Sequence, residues 1–386
     1  MLLKQSEKGT VMKKKIVWII GIIIAITVIT VISLYVTNED VRDWMDEYIF
    51  RKNIIDEDLP TISIENENAS IYAYDNHIVI LQNNKLTIYN TSGKEETTIN
   101  VQVNNPIFES CGRYLLLADK GSQNVYLIYN TSLRWQKTME GNVAYMTVNR
   151  NGAVGVVLTG TTYKSVIVMY GIAGDEEFKT YLSSTVATNV DISEDNNYLS
   201  FAEANTSGTV ISSSVKTVSV EKAKSTPSEA IIYTYNPENN SLIIDIEYNN
   251  NNLICQYDNS VYRLNEGNAE KITDIEDNVL FLDIEMSNYI SKIQENQSGI
   301  LSSEYEVKII NEKNSSESTY LLEQMPSGLY CSDNILAVDM GNEIVFLNHS
   351  AWLLKHFTSR QNYKNIVIGD NVAGIIYRDR VEIISL

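Results

Sequence analysis

From Leu59 to the C-terminus, short apolar runs alternate with polar turns, and no stretch sustains a helical period. Runs of about four to eight apolar or alternating residues between Gly-, Asn- and Ser-rich turns predict strands. The strands fall into a four-part phrase. An apolar strand leads through a tight polar turn to a second, more continuously apolar one. After a loop, a third strand ends in an aromatic or aliphatic residue followed by Asn or Gly. A polar turn then leads to a fourth, more polar strand.

The third strand is the clearest marker. It reads LTIYNTSG at 86–93, VYLIYNTS at 125–132 and VIVMYGIAG at 166–174. Later versions are VYRLNEG at 261–267, VKIINEKN at 307–314, IVFLNHS at 344–350 and VEIISL at 381–386. The marker residues are Tyr89, Tyr129, Tyr170, Leu264, Ile310, Leu347 and Ile384; neighbouring gaps fall between about 37 and 46 residues, except one doubled gap after Tyr170. The turn between first and second strands also recurs, as ESCGRYLLL at 109–117, NRNGAVGV at 149–156, SEDNNYLSF at 193–201, SDNILAV at 332–338 and GDNVAG at 369–374. Gly or Asn there supplies the left-handed backbone of a tight hairpin.

Four strands repeated at this period predict an all-β chain folded as a β-propeller. Eight units are expected, at 70–101, 107–139, 143–182, 188–235, 242–273, 279–322, 327–357 and 363–386 plus 61–65; seven blades is the alternative count. The fourth unit is irregular: 205–230 reads as an insertion, and its third strand is either Val215–Val220 or Ile231–Tyr235. The last unit stops after its third strand, while Thr61-Ile62-Ser63-Ile64 is a strand without a blade, so pairing the two closes the ring and removes an open edge. Two stacked β-sandwiches would need a linker near the middle, for which Ser225-Thr226-Pro227-Ser228 is the sole weak candidate.

SEDNNYLSF resembles the Ser-Pro-Asp-Gly-x-x-Leu-Ala-Phe phrase that WD-repeat and TolB-like propellers carry between their first two strands. It departs from it where Glu194 stands for Pro and Asn196 for Gly, and the chain has no Trp-Asp or Gly-His signature. The overall plan resembles single-pass, membrane-anchored propeller proteins of low-GC Gram-positive bacteria, a resemblance that spans the chain and implies no particular activity.

The N-terminal part follows a different pattern. Ile16–Val36 is a charge-free apolar run that includes Trp18 and Ile24. Its length at a helical rise gives about 31 Å, enough to cross a hydrocarbon core. Lys13, Lys14 and Lys15 precede it and acids follow it, so the expected topology has residues 1–15 in the cytoplasm, 16–36 spanning the bilayer and the rest outside. A cleaved secretory signal is the competing reading; its apolar core is usually shorter and ends at a small-x-small site. Residues 37–58 read as a juxtamembrane stem. Val41, Trp44, Met45, Tyr48 and Ile49 recur there at helical spacing after Asp40, as a helix either packed on the domain or lying at the membrane interface. The extracytoplasmic domain is then 59–386.

Charge narrows the partners. At −19 formal charge, the chain is a poor ligand for nucleic acid. Cys111, Cys255 and Cys331 have neither the spacing nor the even count of a disulfide framework or zinc site, and read as small buried apolar residues. His77, His349 and His356 lack metal-binding spacing, and no nucleophile motif or phosphate loop occurs, so no catalytic or cofactor-binding residues are assigned. Asp245 with Glu247, and Asp283 with Glu285, are pairs two apart in strands expected to be innermost, which puts each pair on one face. Lining the channel, they are the candidate ligands of a hard cation such as Ca²⁺; hydrated channel carboxylates are the plainer reading. Loops 119–124, 160–164, 205–213 and 294–303 should emerge on one rim and offer it to a protein, peptide or glycan partner. The expected function is a non-enzymatic interaction scaffold at the cell envelope. The alternative is an exported enzyme or small-ligand binder using the channel.

Overall fold

A computed structural model describes residues 27–35, 41, 45, 59–66, 68–237, 241–297 and 303–386. Eight four-stranded antiparallel sheets form an eight-bladed propeller. The inner strands are Ser70–Tyr74, Pro106–Cys111, Asn142–Val148, Val186–Ile192, Ile243–Asn249, Val279–Asp283, Gly328–Cys331 and Asn365–Ile368, for blades 1 to 8 in order. The expected units match these blades closely.

The ring closes as expected. Thr61–Ser63 is the outer strand of blade 8 and pairs Thr61 with Glu382, Ile62 with Val381 and Ser63 with Arg380. Ile62 is buried there with Ile78, Ile80, Val372, Val381 and Ile383, so the strand that closes blade 8 also packs between blades 8 and 1. In blade 4 the third strand is Ser212–Ser219 and the fourth is Ile231–Tyr235. A helix, Val220–Ser225, and a 3-10 turn, Pro227–Glu229, bridge them. The reading with the third strand near 215–220 therefore holds, except that Val220 already belongs to the helix.

Middle strands are the most apolar and most buried of each blade because a neighbouring blade covers each face, although those of blades 4 to 6 also carry polar residues. Every residue of Tyr114–Asp119 and of Ser165–Tyr170 is buried. Between blades 2 and 3, Leu116, Leu127, Val143, Val156 and Val168 share one core cluster. Outer strands alternate instead: in Glu95–Asn100 no residue is fully buried, and polar side chains cover the free edge. Asn196 has a φ of 60°, the conformation glycine would have supplied in the related phrase.

Residues 27–35 are helical, with Val28, Ile29, Ile32 and Leu34 exposed. The remainder of the 16–36 run lies outside the described residues, as do Ile16, Trp18, Ile24, Val36 and Lys13–Lys15. Among the described residues no helix is long and apolar enough to cross a membrane. Of the stem, Val41 and Met45 are described; both are helical, and Met45 is buried.

Candidate functional site: the acidic channel mouth

Antiparallel order puts the first-to-second and third-to-fourth turns of every blade at one end of the ring. The second-to-third loops and the links between blades lie at the other. A cavity of about 550 Å³ fills the channel at the first end, walled by inner strands and turns of all eight blades.

The mouth is held by hydrogen bonds from turn to turn, and its asparagines make many of them. Asn149 Nδ2 donates to Ser193 O at 2.8 Å and joins blades 3 and 4. Glu194 N donates to Asn250 O at 3.0 Å, joining 4 and 5, and Asn250 Nδ2 donates to Asn288 Oδ1 at 3.0 Å, joining 5 and 6. Ser287 donates to Asp333 through both N and Oγ, at 3.0 and 3.1 Å. Asn371 Nδ2 donates to Asn76 Oδ1 at 2.8 Å, joining 8 and 1, and below the turns Tyr330 OH donates to Asn365 Oδ1 at 3.1 Å between the inner strands of blades 7 and 8. Paired amides leave few free rotors, so the entrance is preorganised.

Carboxylates dominate the wall: Asp75, Glu109, Asp191, Glu194, Glu247, Asp283, Glu285, Asp333 and Asp370. Arg150 is the one basic side chain among the described lining residues. Asp191 ties three inner strands together. It accepts from Thr147 Oγ1 of blade 3 at 2.7 Å and from Tyr248 N of blade 5 at 2.5 Å. Enclosure and crowding of like charge both disfavour ionisation. Glu109 is exposed to the channel, but the protein walls around it, with Asp191 and Asp245 adding repulsion, push its carboxyl up to about 8. Burial raises Asp191 to about 6 despite its hydrogen bonds. Asp245 is raised to about 6 by burial and by Asp283, and Asp370 to about 6 by burial with Asp333 and Asp75. Glu247 and Glu285 are pushed well above the usual carboxylate range by burial and neighbouring acids.

Of the four acids proposed from sequence, Glu247, Asp283 and Glu285 line this cavity. Asp245 stands off its wall and accepts a hydrogen bond from Asn189 Nδ2 of the neighbouring inner strand. Asp245 and Glu247 do share a face, with Ile246 buried between them. Among the described residues no group of three or more His, Cys, Asp or Glu side chains gathers closely enough to hold a metal ion, so the four acids do not form the compact cage a Ca²⁺ ion requires.

The opposite rim carries exposed apolar side chains. Tyr163, in the second-to-third loop of blade 3, packs on Tyr181 with ring centroids 4.8 Å apart. The next loop presents Val210 and Ile211, 61% and 49% exposed. Lys164 Nζ connects the two loops, donating to Ser184 O at 2.9 Å and Ser207 Oγ at 3.4 Å. Ser213 Oγ donates to Ser241 O at 3.3 Å and accepts from Ile243 N at 3.0 Å, which carries the surface on to exposed Leu242 and Ile244 of blade 5.

With fold and surfaces in place, the comparisons take their meaning. A model described as "Family of unknown function (DUF5711)" matches residues 56–386. The chain belongs to DUF5711. No curated protein is significantly similar to it. Among solved structures, the C-terminal WD40 domain of Sif2 is similar with a TM-score of 0.55 at 10% identity, over 85% of this chain and 99% of that one. Sqt1 from Chaetomium thermophilum gives 0.52 at 9% identity, over 85% and 98%. BamB from Moraxella catarrhalis gives 0.49 at 10% identity, over 85% and 97%. At such identities the likeness is one of fold.

In this DUF5711 propeller the histidines lie away from the channel wall. His77 begins a second strand after a two-residue turn, with its Nε2 3.3 Å from Glu96. His356 lies in an outer strand, its Nε2 3.4 Å from Glu343, and His349 stacks on Tyr289. All three cysteines are free thiols. Cys255 is fully buried, as expected, whereas Cys111 and Cys331 are half-buried and line the cavity. Sequence reasoning missed Glu109, Asp191 and Asp370, which occur singly in or just after their strands. Their available signal was position: each lies at the turn end of a first strand.

Proposed function

We propose that the protein is a non-enzymatic interaction scaffold of the cell envelope, anchored by the 16–36 helix, with its propeller outside the cytoplasm. The observation that carries the scaffold reading is the group of exposed apolar side chains on one rim, the paired Tyr163 and Tyr181, Val210, Ile211, Leu242 and Ile244, on loops linked by hydrogen bonds. Clustered exposed apolar side chains rimmed by polar ones mark a protein-binding site. Its setting is a domain of strong negative charge, so the partner is a protein segment with apolar side chains flanked by basic ones. The apolar 16–36 run, preceded by Lys13, Lys14 and Lys15, supports the anchor and its orientation.

A photo-crosslinking residue at position 211 of the full chain in intact membranes tests the scaffold. A discrete protein adduct is expected from 211 and none from 133, which is exposed on the opposite face. Equal labelling from both positions would sink the reading. For the anchor, external protease should remove the propeller from intact cells and leave a membrane-bound stub.

The channel mouth favours a second reading, capture of a small ligand, because acids, amides and the hydroxyls of Tyr72 and Tyr330 converge on one cavity. Spermidine is a simple probe. A rise in thermal midpoint that is lost in Glu247→Gln would support this reading, and an unchanged midpoint would oppose it.

A further inference from the structure

Arg150 spans the channel. It lies in the first-to-second turn of blade 3, and its Nη2 donates to Asp333 Oδ2 at 2.5 Å, in the corresponding turn of blade 7. In a ring of eight, those blades face each other across the axis. The side chain's stem passes the turn of blade 2, where its Cγ lies 3.8 Å from where a Cβ on Gly112 would stand. On the near side, Nε is 3.3 Å from Glu194 Oε1 of blade 4. The far anchor is fixed, since Ser287 holds Asp333 through two hydrogen bonds.

Elsewhere around the mouth, adjacent turns of blades 3 to 7, and of 8 and 1, are joined directly by hydrogen bonds. Arg150 is different: one long side chain, half-exposed, held at its tip by a partly exposed ion pair. Such pairs are weak and reversible. Glu194 contacts a different nitrogen of the same guanidinium, so it retains the charge when the tip lets go.

We propose that Arg150 is a gate on the channel mouth, closed while its guanidinium reaches Asp333 and open when it falls back on Glu194. This goes beyond the scaffold reading and is independent of it, because the rim patch lies at the other end of the ring.

The cavity supplies its own reporters. Cys111 and Cys331 line it beneath the bar, and Cys255 is fully buried in blade 5 as an internal control. The full chain is labelled with a bulky uncharged maleimide, and each cysteine is followed by mass spectrometry. In Arg150→Ala, Cys111 and Cys331 should react about fivefold faster, the factor a half-exposed ion pair supplies, with Cys255 unchanged. The sign is diagnostic. Burial and then Asp333 push the Cys111 thiol up and Arg150 offsets this only in part, so removing the cation without opening the mouth makes Cys111 react more slowly. Should Arg150→Ala expose Cys255 as well, Arg150→Gln, which keeps the stem and loses the charge, decides the matter. Faster channel thiols with a protected Cys255 uphold the gate; unchanged or slower ones overturn it.

Discussion

Asn196 illustrates how single residues carry this fold. Its φ of 60° is one glycine adopts freely, and its Oδ1 accepts from Asn149 Nδ2 of the adjacent blade at 2.5 Å. Asn196→Ala loses both the tolerated left-handed backbone and the bond, so it should cost about 1–2 kcal/mol in chemical unfolding, and Asn196→Gly distinctly less. The channel carboxyls make a second prediction at this scale. Glu109 is raised from 4.5 to about 8, and Asp191, Asp245 and Asp370 from 3.8 to about 6. The folded chain therefore holds protons that the unfolded chain releases. The associated stability is fully present in acid and is lost as pH rises through these intervals, from about 4 to about 8. Glu109→Gln should raise the thermal midpoint at pH 8 and leave it nearly unchanged at pH 4. A gain at pH 4 as large as that at pH 8 would contradict the shift.

Strands were legible to the degree that their surroundings were uniform. Second and third strands are covered on both faces, so their apolar runs and the Tyr or Leu at their ends stand out in sequence. Blade 4 was harder. Val215 and Val218 continue a strand pattern straight into Val220, and the break comes from Ser219, whose Oγ accepts from Lys222 N and caps the short helix. That helix has only a turn and a half of sequence to announce itself. Thr61–Ser63 was legible through an accounting argument, because one blade lacked a strand and one strand lacked a blade. Its importance is measurable: Ile62→Ala should cost about 2–4 kcal/mol, the usual range for truncating a buried aliphatic, and loosen blades 8 and 1 first in hydrogen exchange.

Across the whole molecule, the site was less legible than the fold. Glu247, Asp283 and Glu285 do line the channel, but the strand period is not what places Glu285, since the inner strand of blade 6 ends at Asp283, and Asp245 stands off the wall. Arg150 and Asp333 meet across 183 residues, and nothing local in either turn announces the pair. It follows only from the blade count: an even ring gives every blade an opposite, and a ring of seven would not. The rim loops are expected from the strand order, but the exposed apolar side chains on them, Tyr163, Val210 and Ile211, with Tyr181 beside Tyr163, come from the structure. This eight-bladed body has two unlike ends, an acidic mouth crossed by one arginine and an opposite rim with exposed apolar side chains.

The central claim is that this rim binds protein, and competition tests it most directly. Membranes containing the full chain with the photo-crosslinker at 211 are irradiated in the presence of added propeller, residues 59–386. Wild-type propeller should abolish the adduct, and Tyr163→Ser/Tyr181→Ser/Ile211→Ser propeller with an unchanged thermal midpoint should leave it intact. Equal competition by the two, or none by either, would contradict the claim.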